Sequence, residues 1–348
     1  MQMKVTIKDV ARKAGVSPST ASRVAGNYGY VSEKNRRKVL SAVRDMGYRP
    51  NAIARSMVTK ATQTIGLVVT DILNPFFAHL TRGIEEITWQ AGYTLILANT
   101  DEDIKHEEAV LHALQEKQVD GLIIIPASSN PSALLVNLYE SGTPIVLLDR
   151  MVKDLSTDVI LVDNEHGAYL AVSHLLEMGH RRIAMVIDNL DISTNTERLI
   201  GYRKALKEWD VPVVEELVQS CQYTQQSAYL IVKNMLAQTE APTALFTANN
   251  FLTIGALQAL RELELNIPQD ISLVGFDDLE WIGLNSPGLT TVAQPMHEMG
   301  RVAAQRLISR LNGEQTPPLE IRLKTQFIIR QSTRQIAEVN SIIVEPHG

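Results

Sequence analysis

Cysteine is almost missing from this chain: Cys221 is the single one in 348 residues. No internal disulfide can form, and a reducing compartment is the simplest reading. No apolar run reaches the length of a membrane span. Met1 to Asp9 lack the apolar stretch of a secretion signal, so the expected location is the cytoplasm. Catalytic signatures are missing too. There is no G-x-G-x-x-G after a strand, no Walker A sequence, no H-E-x-x-H and no G-x-S-x-G elbow. The histidines are scattered: His166 and His174 have no partnering acids at metal spacing, and His79, His106 and His112 read as surface helix residues. Neither an enzyme nor a bound metal or cofactor is expected.

What is present is an uneven distribution of charge. The chain carries a net −6, yet residues 1–60 hold 13 lysines and arginines against 3 acids, a charge of +10. The remainder holds 20 against 36, a charge of −16. A basic head on an acidic body points to a polyanionic partner for the head alone, the alternative being a solvated basic surface. The length suits two or three domains, and 45% apolar with 21% charged residues is the balance of a soluble globular protein.

The head reads as three short helices. Thr6 can cap a helix with apolar positions Ile7, Val10, Ala11 and Ala14, at i, i+3, i+4 and i+7. Asp9 stands three residues on, at capping-box spacing, and Gly15 ends the helix. Ser17 can cap the next helix, with Pro18 at its first position, where a missing N–H costs nothing. That helix buries Ala21 and Val24 and exposes Ser19, Thr20, Ser22 and Arg23. A third, after Ser32, buries Val39, Leu40, Val43 and Met46, with Gly47 as its C-cap. Two helices joined by a tight glycine turn and braced by a third form a helix-turn-helix, whose second helix lies in the major groove. Arg23 can donate two bonds to a guanine edge. Ser19 can bond a base or phosphate, and Thr20 and Ser22 suit phosphates. With the caps Thr6 and Ser17 they make the expected DNA-contacting set. The competing reading is a helical bundle that mediates only protein contacts.

The segment from Val5 to Val24, then Tyr30-Val-Ser, then Gly47 to Met57 closely resembles the head of the lactose/galactose repressor family, and the resemblance runs to about residue 333. It implies base reading by Pro18, Ser19 and Arg23, although Pro18 offers no donor. It also implies a hinge helix at about 51–58 that folds in the minor groove upon operator binding. Met57 would be the wedge between base pairs, with Ala54 packed beside it, Arg55 reaching groove edges or phosphate, and Asn51 opening the segment. Met57 alone would read as a linker residue.

From Thr64 on, short apolar runs alternate with helical patterns. Strands are expected at Ile65–Val69, Tyr93–Ala98, Leu122–Ile125, Ile145–Leu148, Ile183–Ile187, Ala244–Phe246 and Ile271–Val274. Helices are expected between them, including Glu197–Glu208, Gln226–Leu236 and Thr253–Leu263. Such alternation means parallel sheets covered on both faces, here in two similar lobes. Crossings between the lobes are expected near Asp163, Thr290–Gln294 and Leu323–Gln326.

Ligands of open parallel sheets bind beyond the carboxyl ends of strands. The polar residues there are Asp71, Asn74, Asp149, Arg150, Asp188, Asn189, Asn249, Asn250, Asp277 and Asp278, with Arg198 near a helix start. Phe76, Phe77, Tyr223, Phe251 and Trp281 lie nearby in sequence. Polar pairs beside aromatic rings suit sugars. The resemblance sharpens the choice. Asn74-Pro-Phe-Phe77, Asp149, Tyr223 and Ala248-Asn-Asn250 match cleft positions, and Glu197–Tyr202 matches the segment whose arginine, Arg198, touches the effector. Asn250 departs from the family's usual Asp, which suggests a less negative pocket and a sugar acid. The expected effector set is Asn74, Phe76, Asp149, Arg198, Tyr223, Asn250, Phe251 and Asp277. For Asp277-Asp278 the competing reading is a loop cap.

The expected fold is α plus α/β: an N-terminal helix-turn-helix three-helix domain with hinge helix (1–60), then a two-lobed α/β periplasmic-binding-protein-like domain (61–334). Lobe one takes about 61–162 and 292–323, lobe two about 163–291 and 324–334, and 335–348 form a tail. The tail lacks the leucine heptads that assemble tetramers, so a homodimer is expected. The expected partners are operator DNA and a small effector (a sugar, sugar acid or related metabolite), with no membrane. The expected function is a nucleoid-associated repressor of carbohydrate use, released from a palindromic operator by its effector. A purine-type corepressor-dependent regulator and a sugar-binding module without DNA are the alternatives.

Overall fold

The computed structural model describes residues 5–26, 28–48, 61–284 and 286–336. The hinge positions Asn51, Ala54, Arg55 and Met57 lie outside the described residues, as do 337–348 of the tail. The chain divides into two units, Met1–Thr64 with Gln118–Asp120, and the remainder.

The first unit holds α1 (Ile7–Ala14), α2 (Pro18–Gly26) and α3 (Glu33–Met46). Thr6 and Asp9 complete the capping box of α1. Gly15 ends it at φ 64°, a left-handed conformation that glycine adopts without strain. Val10, Ala11, Ala14, Ala21, Val24, Val39 and Ala42 form a small core, with Ile7, Val43 and Met46 packed against it. Leu40, expected inside, is instead exposed. The buried stripe of α3 is Val39, Ala42, Val43 and Met46 at i, i+3, i+4 and i+7, and Leu40 lies about 100° around the helix from Val39.

In the second unit one six-stranded sheet joins β1 (Thr64–Val69), β2 (Thr94–Asn99), β3 (Gly121–Ile124), β4 (Ile145–Leu148), β5 (Asp158–Val162) and β11 (Glu320–Leu323), in the order β11-β5-β4-β3-β1-β2. The other joins β6 (Ile183–Ile187), β7 (Val218–Ser220), β8 (Ala244–Thr247), β9 (Ser272–Phe276), β10 (Thr290–Ala293) and β12 (Gln326–Ile328), in the order β12-β10-β9-β8-β6-β7. The two orders superimpose strand for strand. The central strands pair in parallel and are buried throughout, as apolar runs covered on both faces must be. β12 runs antiparallel to β10.

Thr290–Ala293 is therefore a strand of the second sheet and not a crossing. The chain returns to the first lobe at Gln294–Pro295, later than the boundary expected at 292. It then forms α11 (Met296–Leu311), which packs on α4 (Pro75–Gln90) of the first lobe. Glycines allow that approach: a Cβ on Gly83 would strike the carbonyl oxygen of His297, and one on Gly300 that of Leu80. The remaining helices are α5 (Ile104–Glu116), α6 (Ala133–Glu140), α7 (Asn164–Glu177), α8 (Ser193–Glu208), α9 (Gln225–Leu236) and α10 (Asn250–Glu262). One continuous core runs through both lobes.

Candidate functional site

In the head, Ser17 just ahead of α2 and Pro18, Ser19 and Arg23 on it are exposed. Ser17 Oγ accepts the amide of Thr20 at 3.1 Å and bonds the hydroxyls of Ser19 at 2.9 Å and Thr20 at 2.8 Å. The Thr6 hydroxyl donates to Asp9 at 2.6 Å, which holds that carboxyl below its ordinary range. Thr20 and Ser22, expected to be exposed, are half-buried because they flank the core residue Ala21, and the Ser22 hydroxyl is 2.6 Å from that of Tyr28. Arg23 and Ser19 are thus the side chains of α2 that reach outward with donors.

In the second unit a narrow cleft, with about 30 Å³ of free space, lies where the carboxyl ends of the two sheets face each other. It is lined by Asn74, Phe76, Phe77, Asp149, Arg198, Tyr223 and Asp277, joined by Arg150, Asp188, Thr194, Asn195, Asn249 and Gln294. Asn74 caps α4, its Oδ1 accepting the amide of Phe76 at 3.0 Å. The same oxygen accepts from Asn250 Nδ2 at 2.9 Å, and Asn74 Nδ2 donates to the Tyr223 hydroxyl. Asn74 therefore ties the first lobe to two residues of the second.

Asp149 and Asp277 hold equivalent places at the ends of β4 and β9, both left-handed, at φ 67° and 77°. Each backbone amide donates to the next strand, Asp149 to Ile160 O at 2.8 Å and Asp277 to Val292 O at 2.9 Å. This hooked geometry turns both carboxylates into the cleft. Asp277 accepts from Gln294 Nε2 at 2.6 Å and from the amide of Asn250 at 3.1 Å. Asp149 is buried, with Oδ1 unpartnered among the described residues. Burial pushes its pKa up to about 6, against the pull of the Arg150 and Arg198 charges. Asp188 accepts from Asn249 at 2.7 Å and from Asn195, and burial raises it also to about 6.

Two guanidiniums face these acids. Arg150 is clamped by Glu102 through two bonds of 2.6 and 2.7 Å, and burial is outweighed by that carboxylate, so its charge is secure. Arg198 donates from Nε to Asn164 at 2.9 Å and from Nη1 to Ala248 O at 2.5 Å, and its plane lies 3.8 Å over the Phe276 ring. A buried cation held on three sides is pre-oriented for its remaining partner.

Two of the expected residues stand behind the lining. Asn250 is fully buried between Asn74 and Asp277, and Phe251 backs Tyr223 with ring centroids 5.3 Å apart. Trp281 lies elsewhere, in an apolar groove of the second lobe. Asp278 is paired with Arg330 at 2.7 Å and is a structural anchor. Thr194 and Asn195 were not singled out from the sequence. They stand four and three residues before Arg198, on the same face of α8, and that spacing was the available signal. Gln294 lines the cleft because it directly follows β10, a strand whose Thr-Thr-Val-Ala sequence carries no long apolar run.

No helix among the described residues is long and apolar enough to cross a membrane. Residues 6–51 match the family of bacterial regulatory proteins, lacI family, and residues 172–333 match the periplasmic binding protein-like domain. The chain is 34% identical to the HTH-type transcriptional repressor PurR of Aliivibrio salmonicida, over 95% of this chain and 99% of that protein. It is 36% identical to the ribose operon repressor of Haemophilus influenzae, over 94% and 98%. Among solved structures it is similar to the Lac repressor dimer bound to operator and the anti-inducer ONPF, with a TM-score of 0.82 at 27% identity, over 95% of this chain and 99% of that one. It is likewise similar to the CelR–cellobiose complex, with a TM-score of 0.72 at 31% identity, over 94% and 99%. A reading head, two lobes around a polar cleft and relatives matched over their whole length agree: the chain belongs to the lacI family of bacterial regulatory proteins and is a ligand-responsive, DNA-binding transcriptional regulator.

Proposed function

We propose that this regulator represses genes of carbohydrate use and is released from a two-fold operator when a neutral sugar enters the cleft. The observation that carries the reading is the polarity of the lining. Asp149, Asp188 and Asp277 supply three carboxylates against two guanidiniums, and one of those, Arg150, is already neutralised by Glu102. Hydroxyl donors satisfy such a site, whereas a further carboxylate adds repulsion. Asn250 is itself neutral, but it donates from its backbone and side chain to the Asp277 carboxylate, which keeps this corner of the site negative. The sugar acid suggested by the sequence is therefore the weaker choice. Phe76 and Tyr223 offer rings for the C–H faces of a sugar. The ribose operon repressor and the cellobiose-bound CelR among the similar proteins support the same class.

Ser19 and Arg23 contact base edges in this reading, Pro18 packs at the groove, and the segment 51–58 enters the minor groove. A single helix-turn-helix reads few base pairs, so two copies act together on a palindrome. Apolar grooves on each lobe, one around Ile72 and Leu97 and one around Leu257 and Pro287, support a homodimer. The working division is 1–60 for DNA and 61–334 for effector and dimer contacts, in the cytoplasm. The cleft binds its effector without transforming it.

Calorimetric titration of the full chain with D-ribose, D-glucose, D-ribonate, D-gluconate and hypoxanthine tests the reading. A neutral sugar is expected to bind and to be recovered unchanged. Binding of an acid alone overturns the neutral class, and binding of hypoxanthine alone favours a purine effector, as the PurR relatives would suggest.

A further inference from the structure

The residue beside Arg198 faces the other way. Glu197, also on α8, places Oε1 2.8 Å from Arg322 Nη2 and receives Asn164 Nδ2 on Oε2 at 3.0 Å. Asn164 is fully buried, and its own Oδ1 accepts from Arg198 Nε at 2.9 Å. These bonds form one unbroken path, Arg322–Glu197–Asn164–Arg198. It begins on β11 of the first lobe and ends on the cation that lines the cleft. Two members of the path sit at crossings: Asn164 opens α7 one residue beyond the end of β5, and Arg322 is the last residue but one of β11. Arg322 is further held to the first lobe through Val162 O at 3.4 Å, and Glu320 orients its Nε at 2.5 Å. Close by, Ser193 Oγ accepts the amide of Met151, a second link from lobe to lobe, at 2.9 Å.

We propose that Asn164 and Glu197 are positioning residues for Arg198, and that the Glu197–Arg322 ion pair latches the lobes so that closing the cleft and orienting Arg198 are one event. The proposal rests on the cleft being the effector site but on no particular effector. Its logic is differential: the path is intact only when β11 and α8 are brought together, so whatever orders Arg198 favours the closed arrangement. Glu197 has both oxygens committed, one to each side, and so cannot serve Arg322 without also orienting Asn164. The pair is only partly exposed, with side chains 35% and 21% accessible, and is less screened than a surface pair.

The test measures lobe separation in the full chain without any ligand. Spin labels at Asn130→Cys in the first lobe and Asp191→Cys in the second, both exposed positions, report the distance in a Cys221→Ser background. The unaltered latch is expected to give one short distance. Arg322→Ala should raise the ratio of open to closed molecules roughly two- to fivefold, the effect of losing a partly exposed ion pair. Arg322→Lys should restore the short distance. Asn164→Ala, which removes the bonds to Val162, Glu197 and Arg198, should also open the cleft, and adding it to Arg322→Ala should do little more. If Arg322→Ala leaves the distances unchanged while circular dichroism shows a folded chain, the latch is refuted. If Asn164→Ala adds its full effect to that of Arg322→Ala, the ion pair stands alone and the path to Arg198 is refuted. Because no ligand is present, neither result depends on whether the effector is a sugar.

Discussion

Arg198 stakes most on its immediate surroundings. It is buried, stacked on Phe276 and bonded to Asn164 and Ala248, so its fork is aimed before any ligand arrives. Arg198→Lys keeps the charge but loses the stacked plane and the fork, and should weaken effector binding by about 2–3 kcal/mol in calorimetry and also lower the unfolding midpoint, because Asn164 and Ala248 O lose their donor. Asp188 makes a second prediction at this scale. Its folded pKa, about 6, lies above its ordinary 3.8. The native state therefore holds the proton more tightly than the unfolded chain, and this contribution is present below about pH 4 and lost as pH rises through about 6. Asp188→Asn removes the cost of ionising a buried acid. Its stability relative to the parent should improve by about 1–2 kcal/mol between about pH 4.5 and pH 7.5, read from urea midpoints at each pH. A difference that does not vary with pH would contradict the assignment.

Among the elements, the α4–α11 contact is the most exacting. A side chain at Gly300 meets backbone rather than a flexible neighbour. Gly300→Ala should cost about 3 kcal/mol in denaturant unfolding, more than the helix propensity of alanine returns. What the sequence disclosed at this scale follows from periodicity. The central strands β4 and β6 are unbroken apolar runs and were placed to the residue, as was the capping box of α1. β5 is hidden in the sequence because it opens on Asp158, a buried acid made tolerable by Arg306 and Arg310 from a distant helix and by the amide of Leu319. The edge strands β11 and β12 alternate with polar residues and are defined by pairing across the sheet. The cleft was legible wherever it sits at the end of a recognisable strand, as with Asp149 and Asp277. Gln294 and Asn195 depend on tertiary placement. Leu40 adjoins the buried stripe in sequence and is as apolar as its members, so composition alone does not separate it from them.

At the level of the whole molecule, charge and topology divide the work. A head of +10 suits sequence-independent attraction to phosphates, and in the proposed reading a few side chains on α2 supply choice. Arg23→Ala should cost about 1–3 kcal/mol on the preferred duplex and flatten discrimination at one position, as read by gel shift on single-base variants. Uniform weakening of all variants would make Arg23 a phosphate contact. The two lobes, built on one strand order repeated, share a core and a cleft, so a ligand that touches both can change their angle.

The claim beneath all of this is that the cationic three-helix head binds DNA and that the cleft governs that binding. Selection of binding sites from random duplex DNA by the full chain, at rising salt, with and without the neutral sugar that titrates, measures it directly. The account predicts enrichment of a two-fold symmetric site, affinity that falls steeply with salt, and a shift in that affinity when the sugar is added. Recovery of no site above the background of Arg23→Ala, or an affinity indifferent to both salt and sugar, would contradict it.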